Sequence, residues 1–384
     1  MYANVMRYGT RRRGDHGPVQ LTIAYVATQF VFKFKLPSTK SVTLNWGDGT
    51  TEDVTGQDAV IITKTSAYSG AGTYSFYLSA DVTDLAYIDI SNQAFVSGDV
   101  SSWSTMINLT YLAVYLTGVT GDISDWSALT ELNYLHCASC SLHGDISGWS
   151  AFTKIVNLYC ADNSLTGDIS GWSVFPLVQN ISCALNSLTG DISGWSALTG
   201  LRSISAYSNS LTGDVSGFSA LTLITVISLH QQVEIIGDIS GWSVLTNLVT
   251  IFAQGTSVTG DVSSFSTLIS MQNLWLYGCI GITGDASALS TLTAMISFAC
   301  HNTSLTFDNS PAWSMTGEIR LYGINNGGAT STMVNNMLAS FAGTPLTGCT
   351  ILIAGTNAIR TSASDADKAI IINPVNSNTL DVNE

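Results

Sequence analysis

Apolar and polar positions repeat along this chain with a period of 23 or 24 residues between residues 98 and 308. Counting back from a recurring Gly, apolar side chains stand at offsets of twelve, nine, seven and two, which before Gly167 are Ile155, Leu158, Cys160 and Leu165. The alternation at offsets nine and seven predicts a short β-strand with those side chains facing inward. A fixed period of this length predicts a solenoid, in which each unit buries its apolar edge by stacking on its neighbours.

Each unit also carries a Gly-Asp pair followed by a small apolar residue and, in most copies, Ser. The Gly stands at Gly98, Gly121, Gly144, Gly167, Gly190, Gly213, Gly237, Gly260 and Gly284, and Phe307 takes its place in a tenth copy. The repeat count is therefore about ten.

Residues 163–169 read Asn-Ser-Leu-Thr-Gly-Asp-Ile. Together with the apolar offsets, this string resembles the LxxLxLxxNxLxGxI pattern of leucine-rich repeats, closest to the variant common in plant receptors. The resemblance implies a mainly β fold with a leucine-rich repeat solenoid over residues 83–316. The Asn is kept in only three copies, so we expect the buried amide ladder of such repeats to be broken. Its replacements are Cys140, Gln232, Thr256, Cys279 and Thr303.

A large ring stands five residues after the Gly in eight copies. These rings are Trp103, Trp126, Trp149, Trp172, Trp195, Phe218, Trp242 and Phe265. A Trp can stack on a ligand, but a column in one register on the turn opposite the strands favours packing at the back of the core.

Residues 18–82 show a different pattern, of alternating β-strands broken by Gly, Asp and Ser turns, after an N-terminal arm of residues 1–17. The predicted strands cover residues 21–25, 30–36, 41–46, 60–63 and 73–78. Trp46-Gly47-Asp48-Gly49 and the later Gly-Thr-Tyr of residues 72–74 resemble the signatures of PKD-like β-sandwiches. The resemblance implies a small β-sandwich of the kind used as a spacer on extracellular or virion surface proteins.

The period fails after residue 316, and residues 317–384 are expected to form an α/β C-terminal cap over the last apolar face. Residues 318–322 and 350–353 predict strands, and residues 332–341 have helical apolar spacing. The same segment could instead dock another chain, and the sequence leaves both open.

The charge balance of the chain limits the classes of molecule that it is expected to bind. The chain has 13 Lys and Arg against 27 Asp and Glu, a net charge of −14, and between residues 98 and 308 Lys154 and Arg202 are the only basic residues. This balance disfavours nucleic acid and anionic membranes. There is no apolar run of 18 residues and no standard secretory signal, so we expect neither membrane insertion nor signal-dependent export.

Four of the seven cysteines share offset seven, which predicts buried, reduced side chains: Cys137, Cys160, Cys183 and Cys300. Cys137 and Cys140 form a CxxC, but the first faces the core and no second pair has ligand spacing, which disfavours zinc or redox chemistry. A reduced column is typical of synthesis in a cytosol.

Side chains at offsets ten, eight and six project from the concave sheet if offsets nine and seven face the core. Rings at these positions predict an uncharged stripe roughly 40 to 50 Å long that binds a protein surface or a neutral glycan. The alternative is cross-strand packing that stiffens an open sheet. The ring residues are Tyr111, Tyr115, Tyr134, His136, Tyr159, Tyr207, His230, Phe252, Trp275, Tyr277 and His301.

The Asp after each Gly forms a second polar column. Stacked carboxylates repel, so each must be solvated or locally hydrogen-bonded, and the following Ser favours an Asx-type turn. A Ca²⁺ site is the alternative, and no other cofactor is expected. Its candidate ligands are Asp145, Asp168 and Asp191 in the column and Asp48, Glu52 and Asp53 in the N-terminal module.

Catalysis has no support, because the five histidines are scattered and no nucleophile elbow or phosphate-binding loop is present. The leading hypothesis is a non-enzymatic surface protein, and the composition fits a bacteriophage tail or capsid-surface component that takes part in attachment and docks on other structural subunits of the virion. The alternatives are a bacterial cell-surface adhesin and a purely structural, self-assembling building block.

Overall fold

The computed structural model describes residues 19–25, 29–79, 82–300, 302–306, 318–320, 339, 350–353 and 379–382. The chain divides into two units, residues 1–143 and residues 144–384. The N-terminal arm, His301, the Gly-position Phe307 and most of the C-terminal cap, including nearly all of the predicted helix, lie outside the described residues.

Unit 1 begins with six strands. They are β1 (Gln20–Tyr25), β2 (Val31–Lys35), β3 (Ser41–Asn45), β4 (Thr51–Thr55), β5 (Ile62–Thr65) and β6 (Gly72–Ser79). The five strands expected from the alternation are present, and β4 is an addition. Strand β4 follows the turn at Asp48 and pairs antiparallel with β3 at the edge of its sheet. Glu52 and Asp53 interrupt the alternation of apolar residues from which strands are predicted, and charged residues of this kind are typical of edge strands.

These strands form two layers with an aromatic core. Phe76 on β6 lies 5.0 Å from Phe30 and 5.2 Å from Phe32 between ring centroids, and 5.4 Å from Trp46. Each of these Phe side chains is fully buried. Two-layer packing is what the alternating pattern predicts, whereas the PKD-like assignment and the domain boundaries stay predictions.

Both layers continue directly into the first repeat of unit 1. Strand β2 pairs antiparallel with β7 (Tyr87–Asp89), and β1 pairs antiparallel with β8 (Val96–Asp99). The six strands therefore cover the edge that the first repeat would otherwise leave open, which is the task of a capping unit.

Each repeat supplies one strand to each of two parallel sheets. One sheet carries the rings at the face positions predicted from the sequence, and we call that side of it the ring-bearing face. Its strands are β7, β9 (Tyr111–Ala113), β11 (Tyr134–His136), β13 (Asn157–Tyr159), β15 (Asn180–Ser182), β17 (Ser203–Ser205), β19 (Val226–Ser228), β21 (Thr250–Phe252), β23 (Asn273–Trp275) and β25 (Ser297–Ala299). The other sheet contains the strands that end in the Gly-Asp pair and one that ends just before its place. They are β8, β10 (Gly118–Asp122), β12 (Ser141–Asp145), β14 (Ser164–Asp168), β16 (Ser187–Asp191), β18 (Ser210–Asp214), β20 (Ile235–Asp238), β22 (Ser257–Asp261), β24 (Gly281–Asp285) and β26 (Ser304–Thr306).

A 3₁₀ helix follows the Gly-Asp pair in every described repeat that has one. The helices are Ser101–Thr105, Ser124–Ala128, Ser147–Ala151, Ser170–Val174, Ser193–Ala197, Ser216–Ala220, Ser240–Val244, Val262–Thr267 and Ala286–Thr291. Eight of them place the ring at offset five against the core, and the ninth places Leu289 there. Trp172 and Trp195, for example, are fully buried and stack with centroids 6.3 Å apart. The prediction that the ring column packs rather than binds is confirmed.

The core positions follow the predicted offsets. Leu158, Ile181, Ile204 and Ile227 occupy matching places on consecutive parallel strands of unit 2 and are buried. The chain thus has a leucine-rich repeat solenoid, as the period predicts. Parallel pairing continues from β25 to β27 (Glu318–Arg320), β28 (Thr350–Ile353) and β29 (Thr379–Val382), and the strands predicted near 318 and 350 are confirmed.

The ladder of buried amides is confined to four consecutive repeats, at Asn163, Asn186, Asn209 and Gln232, and is interrupted on both sides as expected. Asn209 donates to the carbonyls of Cys183 and Ala206, and its Oδ1 accepts the N–H of Leu188. Gln232 repeats this pattern one unit later, donating to Ala206 and Leu229 and accepting from Leu211.

Thr and Cys continue the same ladder with hydroxyl and thiol donors. Thr256 Oγ1 and Cys279 Sγ both lie within hydrogen-bond distance of the Ala253 carbonyl, at 2.6 and 3.1 Å. Cys140 and Thr117 share the Val114 carbonyl in unit 1 in the same way. Residues of different type replace Asn here because the buried carbonyls require only a donor.

Candidate ligand-binding face

The ring-bearing face of unit 1 carries a tyrosine ladder. Tyr87, Tyr111 and Tyr134 lie opposite one another on β7, β9 and β11, with centroids 4.2 and 4.3 Å apart and nearly parallel planes. Lys35 on β2 places its ammonium 5.6 Å from the Tyr87 centroid and ends the row. The ladder therefore presents half-buried ring edges with one cation at its end.

A second row of unit 1 runs beside this ladder. Tyr115 stacks on His136 with centroids 3.8 Å apart, and Lys33 pairs with Asp89 at 2.9 Å. Burial lowers the pKa of His136 to about 4, so this ring is neutral at physiological pH. The ion pair leaves this row with little net charge.

The rings of unit 2 group into a cluster. Its members are Tyr207, His230, Phe252, Trp275 and Tyr277. Tyr207 stacks on His230 at 4.1 Å, Phe252 lies 4.8 Å from Trp275, and His230 meets Phe252 edge-on at 6.3 Å. We call these five residues the ring cluster.

Tyr159 stands apart from the ring cluster, because Ser182 and Ser205 occupy the two strands between β13 and β19. The rings of unit 2 are therefore grouped, rather than spread in the continuous stripe expected from the sequence. His301, the last expected ring, lies outside the described residues.

Gln254 occupies a repeat position between two members of the ring cluster. It lies in the turn after β21, at the position that His230 holds one unit before and Tyr277 one unit after. Only 5% of Gln254 is exposed, and its Oε1 is buried without a hydrogen-bond partner. In the described part of the chain, four buried ring nitrogens of the core share this lack of a partner: Nε1 of Trp103, Trp149, Trp172 and Trp195.

Electrostatics on this part of the face are close to neutral. The described face positions of β13 to β25 in unit 2 carry hydroxyl, amide, methyl and ring groups and no Asp, Glu, Lys or Arg. Burial lowers the pKa of His230, so that ring is neutral near pH 7. Burial also raises the pKa of Tyr159, which keeps its hydroxyl protonated.

The Asp column lies on the other sheet and is held locally. Asp168 Oδ1 accepts the N–H and the hydroxyl of Ser170, at 2.8 and 2.6 Å, and the Ser170 oxygen accepts the N–H of Asp191 at 2.7 Å. The side-chain bond from Ser170 is the main cause of the lowered pKa of Asp168. The same Asx arrangement recurs at Asp99, Asp122, Asp145, Asp191, Asp214, Asp238, Asp261 and Asp285.

The candidate Ca²⁺ ligands of the N-terminal module also have local partners. Asp48 accepts from Thr50, Glu52 pairs with Lys64, and Asp53 accepts from the Thr43 hydroxyl. The described residues contain no group of three His, Cys, Asp or Glu side chains placed to hold a metal ion.

The cysteines occupy the positions that the repeat frame predicts. Cys137, Cys160, Cys183 and Cys300 are fully buried thiols outside any disulfide, and burial raises the pKa of Cys183 to about 12. Cys140 belongs to the side-chain ladder described above. In the described part of the chain, no helix is long and apolar enough to cross a membrane.

Sequence reasoning placed ten of its ring residues on the described face and missed two features. Tyr87 stands eleven residues before Gly98 and not ten, so the face offsets of ten, eight and six do not include it. Gln254 shares offset six with Tyr207 and His230 once the inserted residues are allowed for, but nothing in the sequence separates it from Gln231 and Gln232. Those two are bonded, Gln231 to Ser208 and Gln232 to the ladder.

No protein-family model matches the chain, and a search of curated proteins finds no match. Solved structures do match. A TDR receptor has a TM-score of 0.56 at 21% identity, over 67% of this chain and 45% of the receptor chain. The leucine-rich repeat ectodomain of the membrane receptor kinase GASSHO1/SCHENGEN3 from Arabidopsis thaliana has a TM-score of 0.55 at 17% identity, over 77% and 38%.

A third similar structure is the leucine-rich repeat ectodomain of the Arabidopsis receptor kinase HAESA, in complex with a peptide hormone. It has a TM-score of 0.51 at 18% identity, over 72% of this chain and 51% of that chain. This chain thus spans about half the length of these receptor chains or less. At such identities the likeness shows the leucine-rich repeat fold alone.

Proposed function

We propose that this protein is a non-enzymatic recognition protein, which binds a protein or a neutral glycan on a cell surface through the ring-bearing face. The observation that carries the proposal is the set of half-buried rings on that face, which are stacked in fixed orientations and, in unit 2, surrounded by uncharged groups. Rings that are already ordered lose little conformational freedom when a ligand covers them.

Cross-strand stacking explains part of the arrangement but not all of it. Stacking stabilises an open sheet and requires only that neighbouring rings touch. It gives no reason for the absence of charged side chains from the described face positions of β13 to β25, whereas depletion of charge is typical of the core of a binding surface. The ring cluster therefore favours recognition over a purely structural role.

Two finer proposals follow from the sequence. The N-terminal strands serve as a PKD-like spacer. The low content of charged residues and the Ser-, Thr- and Gly-rich composition fit a bacteriophage tail or capsid-surface component used in attachment. A cell-surface adhesin and a self-assembling building block are the competing assignments. Side-by-side self-association without ligand capture would favour the building block.

The test is a binding screen of the intact protein against whole cells, a protein array and a glycan array, together with its mass in solution. The double variant Tyr134→Ser, Trp275→Ser is compared with Val174→Ser, Val244→Ser, a control that removes exposed apolar side chains from the 3₁₀ helices. We expect saturable capture that the face variant loses and the control keeps. Capture unaffected by the face variant would move the site elsewhere.

A further inference from the structure

One edge of unit 2, where the 3₁₀ helices lead into the sheet of the ring-bearing face, carries a row of surface positions, one in each repeat. The row is Lys154, Leu177, Gly200, Leu223, Asn247, Ser270 and Ala294, and we call it the edge row. Leu177 and Leu223 are 55% and 42% exposed. Gly200 stands between them and is the only glycine of the edge row, so the row of side chains is interrupted at that repeat.

A notch opens at this interruption. Its volume is about 260 Å³, and its lining includes Phe175, Pro176 and Val178 in one repeat and Leu198, Thr199 and Gly200 in the next. A Cβ built on Gly200 would lie 3.2 Å from the Val178 carbonyl, so any other side chain there would occupy part of the notch. Small-molecule pockets hold roughly 300 to 1,000 Å³. The notch is smaller, which favours a single side chain of a larger partner over a free small molecule.

Pro176 gives the backbone at the notch a different path from that of the neighbouring repeats. In the preceding repeat the N–H of Thr153 donates to the Ala151 carbonyl and closes the turn after the 3₁₀ helix, and a Thr does the same in the following repeat. Pro176 has no N–H, so this bond is missing. Phe175, the residue before it, has a ψ of 99°, against 58° and 61° in the repeats on either side. The notch therefore combines two departures from the repeat, an open turn and a missing side chain.

The two basic residues of the repeats flank this notch. Lys154 belongs to the edge row two repeats before Gly200, about 10 Å away at the usual strand spacing, and Arg202 follows Gly200 by two residues. Both are exposed, and Arg202 forms no ion pair within the described part of the chain. The edge segments that surround the notch contain no Asp or Glu; they are residues 151–156, 174–179, 197–202 and 220–225. The notch therefore lies in a local patch of positive charge on a chain whose net charge is −14.

The charge pattern decides which kind of partner fits. Solvation explains exposed basic residues, but it does not explain why the only two in the repeats stand on either side of the notch. Two cations are too few to draw nucleic acid or an anionic membrane to a chain of this net charge. An apolar side chain in a small pocket, with complementary charges around it, is the usual anchor of a protein interface.

We propose that the notch is a docking site for an acidic protein segment. The segment places one apolar side chain beside Gly200 and carboxylates of Asp or Glu near Lys154 and Arg202. The site goes beyond the proposed function, because its residues lie on the edge row and in the turns before the strands, not on the ring-bearing face. The chain then has one surface for its ligand and another for a second protein.

The experiment selects a displayed library of random peptides on the full chain and, separately, on Gly200→Leu. This substitution gives Gly200 the side chain that its neighbours in the edge row have, and so fills the notch. Asn247→Leu, in the same row and away from the notch, is the matched control. The double variant Lys154→Met, Arg202→Met removes the charges and keeps the notch. Melting temperatures are recorded for every variant.

We expect wild type and Asn247→Leu to enrich peptides that combine a large apolar residue with Asp or Glu. Gly200→Leu, with a melting temperature near that of wild type, should bind them about tenfold more weakly. Exchanging Glu for Gln in a selected peptide should weaken its binding to wild type by about fivefold and change its binding to the double charge variant little. The face variant Tyr134→Ser, Trp275→Ser should bind these peptides as wild type does, which separates this site from the proposed function.

Three results would overturn the proposal. The first is equal binding of the selected peptides to wild type and a folded Gly200→Leu. The second is binding that neither the Glu-to-Gln exchange nor the double charge variant weakens, and this arm decides the matter if Gly200→Leu does not fold. The third is a dimer of the wild-type chain that Gly200→Leu dissociates, which would make a second copy the occupant of the notch.

Discussion

At the scale of the residue, the repeat frame assigns each position a task. Offsets nine and seven are apolar because they face the core, and the ring at offset five fills its back. What the frame does not give is hydrogen bonding. Gln231, Gln232 and Gln254 are chemically identical, and only the fold shows that the first two are bonded and the third is not.

Trp172 tests the packing role of the ring column. Replacing it by Ala removes a fully buried ring and leaves a cavity, so we expect the free energy of unfolding to fall by about 3 to 5 kcal/mol. Val174→Ala, on the same 3₁₀ helix but 56% exposed, should change it by less than about 0.5 kcal/mol. Urea titrations of the two variants measure the difference, and equal values would show that the column is not core.

Gly237 tests the backbone requirement at the Gly-Asp pair. Its φ is +125°, and an added Cβ would come within 2.8 Å of the Ser216 nitrogen. Gly237→Ala should therefore destabilise by at least about 2 kcal/mol, because both strain and overlap oppose it. Gly241, four residues on, has 3.7 Å of room to the nearest atom, Ser219 Cβ. A thermal melt of Gly241→Ala close to wild type, beside a lowered Gly237→Ala, is the expected pattern, and similar melts would refute it.

At the scale of the element, the sequence predicts the strands and turns well because their signals are local. The Asp-Ser step after each Gly-Asp strand was expected as an Asx-type turn, and the structure confirms it. Strand β4 was missed because its acidic residues mask the alternation, and pairing with β3, which is not local, is what creates it. The sequence shows where Asn is replaced in the ladder, but it does not show that Thr256 and Cys279 still donate to a buried carbonyl.

The Asx turns of the Asp column predict that the stability of the protein depends on pH. The pKa values of Asp168, Asp191 and Asp238 are lowered, chiefly by the hydroxyl bonds from Ser170, Ser193 and Ser240. A lowered pKa in the folded state means stability that is present above the unfolded pKa near 4 and is lost as pH falls through the folded value.

We expect the melting temperature to fall as the pH is lowered below about 4, and to fall less in the double variant Asp168→Asn, Asp191→Asn, since Asn cannot titrate. Asp162→Asn, outside the Asp column, should change the slope less. Calorimetry across this range measures it. Equal slopes in the double variant and wild type would show that the bonds from Ser170 and Ser193 to these carboxylates do not stabilise the fold.

At the scale of the whole molecule, the fold could be predicted because few structures repeat every 23 residues. The ligand could not be predicted from the sequence. The repeats create two parallel sheets, and in unit 1 the first of their strands continue into the N-terminal layers. Which face binds depends on where rings, charges and unpartnered groups fall after folding. The ring-bearing face combines rings with near neutrality, and the other sheet carries the Asp column.

The central claim, that the ring-bearing face is the recognition surface, is tested most directly by blocking each sheet in turn. Ser205→Arg places a bulky charge on the ring-bearing face, and Thr212→Arg, in the same repeat, places one on the Asp-bearing sheet. The affinity of both variants for the ligand found in the binding screen is measured at equilibrium, and circular dichroism confirms that both variants are folded. We predict that Ser205→Arg loses binding at least tenfold and that Thr212→Arg binds as wild type does. The reverse pattern would contradict the account.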